Sequence, residues 1–256
     1  MSGGNLIEAA TVHRPMRIGV TCYPTFGGSG IIATELGMAL ARRGHQVHFI
    51  SSQLPWRLNA FEENIFFHEV ESREYPLFEQ SQYVLALASK MVEVAEWHRL
   101  DLFHVHYAIP HSTAGVLARQ ILGARAPALI STLHGTDITL VGSDPSFLPI
   151  TRFSIEQSTA VTVPSNFLRE ATYRQLGVAA TLPIEVIANF VDTETYRPSG
   201  EPRPLRVITI LIFARSSEWT KWSRCLAKFT RRLRRLVRAW SWCSSAMVQS
   251  ARALSD

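Results

Sequence analysis

Cysteine is scarce. Cys22, Cys225 and Cys243 are the only three in 256 residues, and they fit neither a disulfide framework nor thiolate zinc spacing. The opening "MSGGNLIEAATVHRP" lacks the basic start and apolar run of a secretory leader. No stretch approaches the ~20 apolar residues that span a bilayer. These absences argue for a reducing, cytoplasmic setting without a membrane partner. Before residue 200 no internal repeat or low-complexity segment stands out.

Charge is unevenly spread. Residues 211–256 hold ten Lys/Arg against two Asp/Glu, a net +8, whereas residues 1–210 hold 16 against 19, a net −3. The same tail contains four of the six tryptophans and two of the three cysteines. So sharp a change of composition marks a boundary.

Upstream of that boundary, strands alternate with helices. Residues 1–15 read as a flexible extension, and "MRIGVTCY" is the first strand. "GIIATELGMALARRGH" is a helix with Ile32, Leu36, Ala39 and Leu40 on one face. Arg42 and Arg43 suit its last turn and Gly44 its stop. "QVHFISS" is the second strand, which completes a right-handed βαβ unit. A long helix is expected across "LFEQSQYVLALASKMVEVAEWHRL", then a strand at "DLFHVHY" and a helix at "HSTAGVLARQILG". The series continues with strand "APALISTLHG", short helix "FSIEQS", strand "AVTVPS", helix "NFLREATYRQLG" and the closing "IEVIANFVD". The pattern predicts a doubly wound parallel α/β domain, Rossmann-like, over residues 16–197. Residues 198–214, with the Pro/Gly-rich "RPSGEPRPL", read as a hinge and one further strand, and 215–256 as an atypical basic tail.

In such a sheet ligands bind beyond the C-terminal strand ends, and the polar clusters fall there: the glycine loop, "HYAIPH", "TLHGTD", "PSN" and "NFVD". Gly28, Gly30 and Ala33 fit the G-x-G-x-x-A dinucleotide fingerprint. Glycines admit an anion to the backbone, and the helix start offers free N–H groups. A nicotinamide cofactor is disfavoured, because "HFISSQ" ends the second strand without the acidic residue that would hold a ribose. A tight strand-to-helix turn with no ligand is the plainer alternative. His104, His106 and His111 lack a carboxylate or cysteine at ligand spacing, so no metal is expected, and packing at a strand end suits His104 better. Tyr107 lies nearer the mouth. Thr132, His134, Thr136 and Asp137 follow an apolar strand, and His134 before Gly135 suggests a side chain aimed into the cleft.

The tail "KWSRCLAKFTRRLRRLVRAWSWCSS" has three readings: nucleic-acid binding, a membrane-surface helix, or unselected sequence such as a frameshift leaves. Arg231, Arg232, Arg234, Arg235 and Arg238 would surround a helix rather than share a face, which favours the third. Neither a specific nucleic acid nor a membrane is therefore expected as a partner.

"CYPTFGGSGIIATELGMALARRGHQVHFIS", "HVHYAIPHSTAGVLA", "TLHGTDITLVGSDPSF" and "VIANFVDTETYRP" together resemble the N-acetyl-α-D-glucosaminyl L-malate synthases, over roughly residues 16–205. These are retaining GT-B glycosyltransferases that begin bacillithiol biosynthesis. The resemblance implies the N-terminal, acceptor-side half of a GT-B fold. It implies transfer of N-acetylglucosamine from UDP to L-malate, with no cofactor and no metal, and it is compatible with a homodimer. Gly27 and Gly28 would lie against the donor diphosphate; Ser29, Tyr107, Thr132 and Asn166 would face the acceptor; His134 would be the catalytic histidine near the donor sugar. The family's second half carries an Arg/Lys pair for the diphosphate and a glutamate pair for ribose and sugar. Neither is recognisable after residue 211, where only Glu218 remains as a glutamate. The chain is therefore expected to be inactive alone; a non-catalytic module that binds a small acid or sugar nucleotide is the alternative. A frameshift near residue 211 would explain the simultaneous change in charge, Trp and Cys usage. Translation of the downstream DNA in the other two frames is then expected to yield a Rossmann-like half, and failure in both frames eliminates the frameshift.

Overall fold

Short apolar runs rich in Val, Ile and Phe form the strands, and the longer segments between them form the helices that carry the chain back. In the computed structural model, residues 14–25, 27–58, 62–72 and 82–197 are described. The chain divides into two units, Met1–Tyr196 and Arg197–Asp256, and of the second only Arg197 is among the described residues. The expectations for residues 1–13, for 198–214 and for the tail lie outside them.

The strands are β1 (Arg17–Thr21), β2 (Gln46–Ser51), β3 (Ile65–Glu69), β4 (Leu102–His106), β5 (Ala128–Thr132), β6 (Ala160–Val163) and β7 (Ile184–Val186). The helices are α1 (Gly28–Arg42), α2 (Tyr83–His98), α3 (Thr113–Leu122), α4 (Thr136–Thr139), α5 (Leu148–Glu156) and α6 (Asn166–Leu176). The strands form one parallel sheet in the order β3-β2-β1-β4-β5-β6-β7. This is the expected doubly wound, Rossmann-like fold. Helix α1 packs on Ile18, Val20, Val47 and Phe49 of one face. On the other face α2 and α3 cover Ile50, Phe103, Val105 and Leu129, and α5 and α6 cover Val161 and Val163.

Three local expectations are corrected. Helix α1 does not bury Ile32, Leu36, Ala39 and Leu40, which stay half-buried. It buries Gly30, Ala33, Thr34, Gly37, Met38 and Ala41. Small residues win this face because the helix lies so close to the sheet. A β-carbon at Gly37 would overlap the Phe49 ring, and one at Gly30 would sit 2.5 Å from the Tyr23 carbonyl oxygen. Strand β3 was not expected at all. It is a sheet edge with no fully buried residue, so it has neither the continuous apolar run nor the clean alternation that marks a strand. Helix α5 begins five residues before "FSIEQS", because Pro149 in its first turn lacks only an N–H that a helix start leaves unbonded anyway.

Replacing Gly37 by Ala is expected to lower the unfolding free energy by about 1–3 kcal/mol through overpacking against Phe49. At Gly28 a β-carbon meets nothing within 4 Å among the described residues. Urea denaturation of both Ala variants checks the contrast; equal loss at the two positions would contradict it.

Candidate active site

Strand order reverses at β1. Its neighbours are β2, reached through α1 on one face, and β4, reached through α2 on the other, so the loops leaving β1 and β4 part and open a crevice. On the β1 side, α1 starts after Gly27, whose backbone is extended (φ −68°, ψ 153°). No side chain caps this helix start and no acidic residue occupies its first turn. Gly27 and Gly28 are exposed and Ser29 is half-buried. The contrast is α6, where the Ser165 hydroxyl accepts the Leu168 N–H at 3.3 Å. An open, uncapped helix start presents N–H groups and the positive dipole end, the elements of an anion cradle.

On the β4 side, Tyr107 has a left-handed backbone, φ 85°. Such a conformation is strained for a bulky residue and persists only where its surroundings hold it. The Tyr107 N–H donates to the Thr132 carbonyl at 2.9 Å, and its carbonyl accepts from the Ser112 N–H at 3.1 Å. Tyr23, from the β1 loop, meets Tyr107 edge-on with 5.3 Å between centroids, and His111 at 4.7 Å. Tyr107 stacks on His134 at 5.4 Å. His134 Nε2 lies 3.0 Å from His106 Nδ1, and the His106 ring stacks on His104 at 4.7 Å. His104 Nε2 is bonded to the Thr132 hydroxyl at 2.8 Å, which reaches the Thr162 hydroxyl at 2.7 Å. One ladder thus runs from the mouth down into the sheet.

Asp137 joins the two loops that carry this ladder. Its Oδ1 accepts the N–H groups of His134 at 3.0 Å and Gly135 at 2.9 Å, and its Oδ2 accepts the Ala108 N–H at 3.2 Å. Burial raises the Asp137 carboxyl above its ordinary range, partly offset by those donors. With both oxygens turned to backbone, this carboxylate positions Tyr107 and His134 and is not presented as a nucleophile.

The histidines are neutral at pH 7. Burial lowers His104, His111 and His134 to about 4 and His106 well below its ordinary value, with neighbouring imidazoles adding to the shift at His104, His106 and His111. His111 Nδ1 faces the His106 carbonyl at 2.6 Å, so it carries the proton and donates. The site therefore combines neutral hydrogen-bonding rings with an anion-favouring helix end.

Residues 26–195 match the family described as Glycosyltransferase Family 4. The chain belongs to glycosyltransferase family 4. It is similar to N-acetyl-alpha-D-glucosaminyl L-malate synthase of Bacillus anthracis, with 51% identity over 181 residues, 71% of this chain and 47% of that one. It thus spans about half the length of this curated relative. Among solved structures, a glycosyltransferase from Rickettsia africae superposes with a TM-score of 0.57 at 18% identity, covering 85% of this chain and 50% of that one. Anabaena HepE in complex with UDP and glucose gives 0.52 at 17%, covering 72% and 47%. These likenesses confirm the fold.

Within this family 4 unit, the structure brings Tyr107, Thr132 and His134 into one connected ladder. Gly27, Gly28 and Ser29 stand at the start of α1, on the same loop as Tyr23, which touches Tyr107. Asn166 opens α6 and is exposed; no described contact joins it to the ladder, although Leu168 of the same turn packs by Gly135. Sequence reasoning passed over Tyr23, which meets Tyr107 and His111 from the β1 side, and treated Asp137 as one polar strand-end residue among several. The signal for Asp137 was its place two residues after Gly135, where a carboxylate can turn back onto its own backbone. No helix among the described residues is long and apolar enough to cross a membrane.

The buried imidazoles make stability pH-dependent. Their folded values lie below the unfolded value of 6.5, so the unfolded chain binds more protons between about pH 6.5 and 4. Stability is present above that window and falls as pH drops through it, by up to about 1.4 kcal/mol per pH unit for each imidazole. Urea midpoints measured from pH 7.5 down to 4.5 are expected to decline steadily; a flat profile would contradict the neutral ladder.

Proposed function

We propose that this unit is the acceptor-side half of a retaining transferase that moves N-acetylglucosamine from UDP to the hydroxyl of L-malate in bacillithiol biosynthesis. The observation that carries this reading is the 51% identity to the malate synthase over 181 residues. That a protein of the same fold binds UDP and glucose supports a sugar-nucleotide donor.

In this reading Gly27 and Gly28 let the donor diphosphate approach the α1 start, while Ser29, Tyr107, Thr132 and Asn166 face malate. Thr132 already engages His104 and Thr162, so its hydroxyl, with one donor and two acceptor positions, keeps one position for the acceptor. His134, neutral and stacked on Tyr107, offers a hydrogen bond to the sugar rather than a strong base. The bond from the anomeric carbon to the diphosphate oxygen breaks, the bond to the malate hydroxyl oxygen forms on the same face, and the hydroxyl proton passes to the departing phosphate oxygen. Such chemistry depends on positioning and stabilisation of the leaving group, and calls for no metal. The family's Arg/Lys pair for the diphosphate is not recognisable after residue 211, so the remaining grip on the nucleotide is assigned to a second half and the chain alone is expected to be inactive. The setting is cytoplasmic and the partners are small molecules, with a homodimer as the assembly of the intact enzyme.

Incubation of the 256-residue chain with UDP-N-acetylglucosamine and malate, read by mass spectrometry, is expected to give no transfer product. Saturation-transfer NMR is expected to show malate bound, and Tyr107→Ala to weaken it by about tenfold or more. Turnover by the chain alone would overturn its assignment as a half-site. Lack of malate binding by the unmodified chain would overturn the acceptor assignment. Adding the C-terminal half of the Bacillus anthracis relative is expected to restore transfer; malate binding without restored transfer would favour a non-catalytic binding module.

A further inference from the structure

A second histidine cluster lies outside the crevice ladder. His48 is the third residue of β2, His68 the fourth of β3 and His98 the last of α2. The β2–β3 register sets His48 beside Phe66 and Ile50 beside His68, so both histidines point to the face that α2 covers. His98 joins them from the end of α2, where its carbonyl accepts from Arg17 at the start of β1.

His48 Nδ1 lies 2.9 Å from His68 Nε2. The His98 ring is 4.3 Å from that of His48 and 5.1 Å from that of His68, centroid to centroid. One ring nitrogen from each of the three lies within 4.8 Å of one from each of the others. His48 is 1% exposed, and its Nε2 is buried without a hydrogen-bond partner. Phe66 stacks on its ring at 4.7 Å.

Burying imidazoles against one another is costly, because at most one proton can sit between each facing pair of nitrogens. Burial, with His98 next, lowers His48 to about 3 and His68 below its ordinary value, so both rings carry free lone pairs at neutral pH. The cations that contribute are themselves paired. Arg17 faces Asp101 at 3.9 Å, and Lys90 binds Glu93 at 2.8 Å. Three imidazoles form a donor set that suits zinc, copper, nickel or cobalt and disfavours magnesium and calcium. Metal–nitrogen bonds of about 2.0–2.1 Å need the nitrogens roughly 3.3 Å apart, within reach of modest ring rotations.

We propose that His48, His68 and His98 bind a zinc-class divalent cation that ties the end of α2 to the β2–β3 edge of the sheet. The cation takes the place of the proton between His48 and His68, which moves to the other nitrogen of its own ring so that both imidazoles stay neutral, and water completes the coordination. The three ligands come from β2, β3 and the crossover helix α2 that leads on to β4, so the site is a structural clamp. It shares no residue with the crevice, and the transfer chemistry does not pass through it.

Titration of the full chain with Co(II), followed by visible d–d absorption, is expected to saturate at about one equivalent and to be reversed by Zn(II). His68→Gln and His98→Gln are each expected to weaken binding by about 100-fold, whereas His45→Gln, outside the cluster, leaves it unchanged. Saturating zinc is expected to raise the Tm of the unmodified chain by about 5–10 °C and that of the two Gln variants by much less. X-ray absorption of the zinc-loaded unmodified chain gives a readout independent of whether the variants fold; a shell of nitrogen and oxygen with three imidazoles is expected. A sulfur ligand in that shell, no saturable binding by the unmodified chain, or equal affinity in well-folded Gln variants would each overturn the site.

Discussion

The parallel pairing of β1 on both of its edges is the constraint on which the rest depends. Its backbone groups are buried and satisfied by β2 on one side and β4 on the other. A parallel neighbour can be reached only by a crossover. The crossover to β2 uses α1 on one face, and the entry to β4 uses α2 on the other. The loops at the C-terminal ends of β1 and β4 therefore diverge. The crevice follows from that pairing before any functional side chain is considered.

Side chains then make the crevice specific. Asp137 is a buried carboxylate whose three acceptor bonds are all to backbone N–H groups. It holds the loop after β5 against the loop after β4 and so sets the spacing of His134 from Tyr107. Below them a neutral histidine ladder supplies ordered hydrogen bonds without placing charge beneath the open start of α1. An arrangement fixed before substrate arrives suits chemistry that depends on placement. At the far end of α2 a different set of histidines meets for a different reason, because a helix terminus and two adjacent strands converge there.

Much of the fold was legible. Apolar runs alternating with amphipathic segments marked all the central strands, and the glycine loop marked the first crossover. The parts that were not legible share a cause. Helix α1 buries its small residues, because the distance between helix and sheet, set by Phe49 and the Tyr23 carbonyl, decides which face fits. Strand β3 is recruited by its pairing with β2 rather than by its own pattern. In the candidate site, Tyr107, Thr132 and His134 could be chosen as polar residues at strand ends, and they do join. That Asn166 stands apart from the ladder, and that Tyr23 reaches across to Tyr107, depend on how the loops fold.

The sequence by itself determined the alternation of strand and helix, and with it the parallel sheet, the place of the crevice and the family. The sheet and the crevice rest on local periodicity and on glycines at a single turn, which act over a few residues, and the family on four motifs in order. Tertiary structure alone decided the carboxylate of Asp137 as a clamp between loops, the ring contacts from Tyr23 to His106, and the meeting of His48, His68 and His98. The last three are 20 and 30 residues apart in the chain. No short spacing announces them, because only the register of β2 on β3 and the length of α2 bring their rings together.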